Sequence, residues 1–188
     1  VAGLRQVLQM RRNEFFVAFI TMLTVVFVGI EQGVVLAMIL SVINHLRRSY
    51  RPNDTVLTLG ADGHLHAVPL HDGVPISPGV VVYHFSASIY FANAERFRNE
   101  VLALSGIDGG AIKIVVIDAS GIPDIDYSGG QMMLELVEQL AERDVRMVIA
   151  NAPADVRREF IIYGVADLLG ENSNFETVSS ALRAFRNT

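Results

Sequence analysis

Residues 112–150 read IKIVVIDASGIPDIDYSGGQMMLELVEQLAERDVRMVIA, and this stretch decides the fold. Ile112–Ile117 is a nearly unbroken apolar run closed by Asp118, the pattern of a strand buried on both faces. From Ser128 to Arg143 the period lengthens, and Met132, Met133, Leu136, Val137 and Leu140 fall on one side of a helix. Val145–Ala150 returns to an apolar run and predicts a second buried strand. Strand, helix and strand in succession make a crossover unit with parallel strands and a right-handed connection.

Upstream, Val80–Phe85 (VVVYHF) predicts another buried strand. Ala92–Leu104 predicts an amphipathic helix through Phe97, Val101, Leu102 and Leu104. Val56–Leu59 and Leu65–Val68 flank Asp62-Gly63 and predict a β-hairpin. Downstream, Ala154–Gly164 and Thr177–Arg186 predict two more helices. Arg51-Pro52-Asn53-Asp54 has the composition of a linker. Residues 51–188 are therefore expected to form a soluble α/β domain on a mixed, partly parallel sheet.

Residues 1–50 are of another kind. Phe15–Leu46 reads FFVAFITMLTVVFVGIEQGVVLAMILSVINHL, with Glu31 and His45 as its only titratable side chains. Arg11 and Arg12 precede the run, and Arg47, Arg48 and Arg51 follow it. Positive residues mark the cytoplasmic side, so both ends are expected there, with two crossings between them. The break falls at Gly29-Ile30-Glu31-Gln32-Gly33, with Glu31 at a water-facing tip. The arms, about 15–28 and 34–46, would each be roughly 20 Å long, short of a hydrocarbon core of about 30 Å. Such arms need further membrane helices beside them, and Ala18, Thr21, Thr24, Ala37 and Ser41 permit close packing.

Charge divides at the same place. Val1–Pro52 carries six arginines and two glutamates, a net +4, and the remainder carries −9, which together give the chain's −5. A hydrophobic content of 51% and a mean hydropathy of +0.38 average over these two environments. The acidic domain excludes nucleic acid as a partner, because phosphate binding needs a basic surface. With no cysteine there are no disulfides and no thiolate chemistry.

Specific residues resemble a known family. Glu14-Phe15, Thr21, Gly29–Gly33, Ser41 and Arg47-Arg48 resemble the last two membrane helices of the SulP (sulfate permease, SLC26-type) anion transporters. Tyr90-Phe91-Ala92-Asn93-Ala94 resembles the segment opening the cytoplasmic STAS domain of those transporters. Ile117-Asp118-Ala119-Ser120 and Asp124-Ile125-Asp126-Tyr127-Ser128-Gly129 resemble the STAS loop before its second helix. The resemblance implies a short transmembrane hairpin over 1–50 and a STAS domain over 51–188, its helices mainly on one face of the sheet. It implies the C-terminal part of a secondary active anion transporter of the sulfate, bicarbonate or dicarboxylate class. The partners it implies are an upstream transmembrane domain, the lipid bilayer, a second copy in a homodimer, and a regulatory protein or nucleotide at the STAS domain. Transporter sites of this kind lie at the membrane midplane between inverted repeats, so no substrate ligand falls in this segment. The alternative is a membrane-tethered STAS signalling module of the anti-sigma-factor-antagonist type.

The candidate functional surface is the loop Asp118–Gly130, with Asp118, Asp126, Ser128 and Gly129 as its regulatory residues. It leads into a helix N-terminus, which suits an anion, and Asp126 or Ser128 is placed to cap that helix. In the related bacterial regulators the residue after the loop aspartate is a phosphorylated serine. Here Tyr127 stands in that place and Ser128 follows, and a phosphate would be repelled by Asp118, Asp124 and Asp126. His64 and His66 have the strand spacing of two metal ligands, with His71 and Asp72 nearby, but no convincing ligand set is complete. Ser105–Gly110 is glycine-rich but lacks the Lys-Ser/Thr ending of a phosphate loop. No Ser-His-Asp or paired-carboxylate arrangement can be assembled, so neither catalysis nor a cofactor nor a metal is expected.

Overall fold

The computed structural model describes residues 12–49, 54–59, 65–70, 75–106 and 111–185. They divide between two units, Val1–Arg51 and Pro52–Thr188.

The first unit is a pair of helices, α1 (Arg12–Phe27) and α2 (Ile30–Ser49). Only Val28 and Gly29 lie between them, a shorter break than the five residues expected. Gly29 has φ +143°, a conformation that side chains disfavour. Glu31, Gln32 and Gly33 belong to the first turn of α2, where a carboxylate is favoured by the helix dipole. Gly33 is buried, and a Cβ there would sit 2.2 Å from Cγ2 of Val25, so its missing side chain lets α1 approach. Among the described residues no helix is long and apolar enough to cross a membrane. The 16 residues of α1 reach about 24 Å, and the 20 of α2 reach about 30 Å. But α2 begins with Glu31 and Gln32 and ends with Asn44, His45, Arg47 and Arg48. The pair still shows apolar side chains outward, with Phe16, Val26, Phe27, Ile30 and Met38 all more than half exposed.

The second unit is a six-stranded sheet in the order β2-β1-β3-β4-β5-β6. Its strands are β1 (Thr55–Leu59), β2 (Leu65–Pro69), β3 (Val80–His84), β4 (Ile114–Asp118), β5 (Arg146–Ala150) and β6 (Asn174–Phe175). β1 pairs antiparallel with β2 and with β3, whereas β3 to β6 run parallel. The helices are α3 (Phe91–Ser105), α4 (Tyr127–Glu142), α5 (Ala154–Ile162), α6 (Val165–Leu169) and α7 (Val178–Phe185).

Period-2 alternation sorts the strands' side chains into two cores. Tyr83, Phe85, Val115, Ile117, Met147 and Ile149 pack with Phe97, Met133, Leu136, Leu140 and Phe160 from the helices of one face. Val80, Val82, Ile114, Val116, Val148 and Ala150 pack with Val178 and Ala181 of α7 on the other. The predicted strands and helices are present, with ends displaced by a residue or two. The exception is Ala154–Gly164, where the helix stops at Ile162 and a short second helix follows. Gly164, at φ +79°, turns the chain between them. β6 has only two residues and left no periodic signal.

Candidate functional site

Asp118 is the last residue of β4 rather than part of the loop, in register with His84 of β3 and Ala150 of β5. It is 6% exposed, so each carboxylate oxygen needs a partner. Oδ1 accepts from the Asn151 side chain (2.9 Å) and the Ser120 backbone amide (3.2 Å). Oδ2 lies 2.9 Å from Nδ1 of His84. An ionised carboxylate only accepts, so Nδ1 carries a proton, and in the neutral ring Nε2 is then the acceptor. Ser86 Oγ stands 2.9 Å from that Nε2. Ser86, His84 and Asp118 thus line up in the order nucleophile, base and orienter, an arrangement not read from the sequence. Acyl transfer also needs donors aimed at the developing oxyanion. At Ser86 the neighbouring chain is instead packed tight, since a Cβ on Gly121 would lie 3.0 Å from Ser86 Cα and 2.6 Å from the Phe85 carbonyl oxygen. What these bonds do in the fold is tie together the carboxyl ends of β3, β4 and β5.

Asp126 holds two helix starts. Its Oδ1 accepts from the Gly129 amide (2.7 Å), capping α4, and its Oδ2 accepts from the Phe91 amide (3.1 Å), the first residue of α3. Asp126 is therefore the cap, and Ser128 is a half-buried residue of the first turn of α4. The Gly129 and Gly130 amides are bound by the Asp126 side chain and carbonyl, so neither is open to an anion. Gly129 permits a close approach: a Cβ there would be 2.7 Å from the Ile89 carbonyl oxygen. At Gly130 it would meet the Tyr163 ring at 2.5 Å.

Glu159 of α5 accepts from the Ile125 amide at 2.9 Å and steadies the loop from the far side. Burial raises its carboxyl above the ordinary range, the Ile125 amide opposes the shift, and Asp124 and Asp155 add to it. Next to the cap, Tyr127 is 68% exposed and packs edge-on to Tyr163, and Phe91 is 80% exposed.

The structure therefore separates the four predicted residues. Asp126, Ser128 and Gly129 share one helix start, while Asp118 belongs to the sheet end with His84, Ser86 and Asn151. His66 is exposed on β2, and His64, His71 and Asp72 lie outside the described residues. Gly109 and Gly110 of the glycine-rich stretch also lie outside them. No metal-binding group of three or more ligands occurs among the described residues.

A family model described as STAS domain matches residues 73–181. A probable sulfate transporter of Mycobacterium tuberculosis is 31% identical over 184 residues, covering 97% of this chain and 33% of that protein. Sulfate transporter 1.1 of Arabidopsis thaliana is 27% identical and covers 90% of this chain and 27% of its own length. The chain thus spans about a third or less of these curated relatives. The inward-facing structure of the murine Solute Carrier 26 family member A9 anion transporter superposes with a TM-score of 0.80 at 21% identity. That superposition covers 96% of this chain and 30% of the other.

Proposed function

The chain belongs to the STAS domain family, and from that premise we propose that it is the carboxyl-terminal part of a secondary active anion transporter. The observation carrying this is the 31% identity to a probable sulfate transporter across 97% of the chain, helix pair and sheet unit alike. A membrane-tethered signalling module would account for an anchor and the sheet unit, but not for identity to a transporter that runs through both.

In this reading α1 and α2 form the final membrane hairpin. Their outward apolar side chains need an apolar surrounding, and the short reach of α1 and the polar ends of α2 ask for neighbouring helices of an upstream membrane domain. The STAS domain lies on the cytoplasmic side, regulates transport or assembly, and takes part in a homodimer. Regulation acts at the start of α4. The exposed Phe91 and Tyr127 rings beside Asp126, and the internally satisfied Gly129 and Gly130 amides, favour a protein surface there over a nucleotide phosphate.

The test is uptake of labelled sulfate, bicarbonate and fumarate by the full-length protein in proteoliposomes. Saturable uptake of one of these anions is expected. No uptake of any of them, or an open reading frame without further membrane helices, overturns the transporter. If Ser128→Ala and Ser128→Asp both leave uptake unchanged, Ser128 is not the regulatory switch.

A further inference from the structure

Asp54 lies two residues beyond Pro52, where the second unit begins, and its side chain is only 2% exposed. Its Oδ2 is 2.5 Å from Nη2 of Arg96 on α3, and its Oδ1 is buried with no hydrogen-bond partner. The same guanidinium reaches Oε1 of Glu100 through Nε at 2.7 Å. Oε2 of Glu100 accepts from the Tyr83 hydroxyl of β3 at 2.5 Å. Two carboxylates from separate parts of the chain thus share one guanidinium, with Asp54 buried, Glu100 16% exposed and Arg96 open to water on one side. With both ionised, the group carries one negative charge more than Arg96 neutralises. Buried uncompensated charge is expensive, and two neighbouring carboxylates relieve it by keeping a proton.

We propose that Asp54, Glu100, Arg96 and Tyr83 form a proton-binding site whose occupancy sets how firmly the start of the STAS domain is held to α3.

The groups facing Asp54 are the Arg96 guanidinium and Glu100 carboxylate of α3, the Tyr83 hydroxyl of β3 and the Ser86 backbone amide. His84 turns its ring onto Asp118 instead. Burial raises the Asp54 carboxyl to about 7, with Glu100 adding to the rise and Arg96 and the Ser86 amide opposing it. Burial and the bond to Glu100 also lift the Tyr83 hydroxyl far above an ordinary phenol, so it stays protonated and donates throughout. With the proton bound, Arg96 and the remaining carboxylate balance and Asp54 stays in. As pH rises, the ionised Asp54 is stable in water but not in the site, so opening of this segment becomes easier. The folded carboxyl binds its proton more tightly than the exposed one, which has an ordinary value of 3.8. The extra hold is therefore complete below about pH 4, is lost as pH rises towards 7, and changes no further above that.

Hydrogen exchange of the full chain in lipid nanodiscs, followed by mass spectrometry from pH 5 to 8 and corrected for intrinsic rates, reads this directly. The opening constant for residues 54–59 is expected to climb by up to about tenfold per pH unit between pH 5 and 7 and then level off. Asp54→Asn, which keeps the neutral form, should remove the slope. Glu100→Gln, which removes the second carboxylate from the site, should move the plateau to lower pH, and this variant decides the matter if Asp54→Asn fails to fold. A flat wild-type profile, a slope that survives Asp54→Asn, or a plateau unmoved by Glu100→Gln overturns the proposal.

Discussion

In the helix pair, Phe27 is 80% exposed and Val26 69%, whereas in the sheet unit Phe85 and Phe97 are both 0% exposed. Both regions are rich in apolar residues, so composition does not separate them. The distribution of those residues does. A stripe on a helix or one face of a strand can be closed by a facing layer, and the sheet unit closes two such layers on itself. A helix that is apolar all round has no polar face to give to water. Fully burying one large apolar side chain stabilises by about 1.5–3 kcal/mol. The sheet unit realises that gain internally, whereas the helix pair leaves Val26, Phe27 and Ile30 largely exposed.

Phe97→Ala should show this contrast most strongly. Phe97 packs on Tyr83 and Phe85 with ring centroids 5.6 and 5.1 Å away, and its loss should lower stability by about 3–5 kcal/mol. Denaturant unfolding followed by circular dichroism measures it, and a loss below 1 kcal/mol would mean that this core is looser than its burial says. Phe27→Ala is the counterpart. It should leave the unfolding of the sheet unit unchanged while weakening partition of the chain into lipid vesicles by about 1.5–3 kcal/mol. An equal partition would place Phe27 outside the bilayer.

Gly129→Ala comes next, at about 1–3 kcal/mol, because the added Cβ meets a backbone oxygen that cannot easily move. Thermal unfolding of this variant tells a packing glycine from a flexible one. Asp126→Ala should cost about 1–2 kcal/mol through the caps it provides, while Ser128→Ala should stay within about 0.5 kcal/mol. If the two losses came out reversed, Ser128 would be the structural residue and Asp126 the free one.

The strands and long helices were legible because buried faces impose a period on the chain. Val80–Tyr83 and Ile114–Ile117 are apolar runs, and Met133, Leu136 and Leu140 recur at helical spacing. α6 and β6, at five and two residues, are too short to show a period. The helix-pair turn is shorter than its sequence suggests, because Glu31 and Gln32 have the composition of a loop, although a carboxylate is at home in a helix's first turn. The cap at Asp126 was legible, since its target is three residues away. Its second bond, to Phe91, spans 35 residues and was not.

By itself, the sequence determined that there are two regions of different character, a mixed sheet in the second, and a capped helix after the β4 loop. Those properties rest on local spacing and composition, which the chain carries wherever it folds. Only the tertiary structure decided that Asp118 leaves the loop to bind His84 and Asn151, and that Asp54 meets Arg96 across 42 residues. Such pairings depend on which strand lies beside which and on burial that makes each charge seek a partner. Neither is written in the neighbours along the chain.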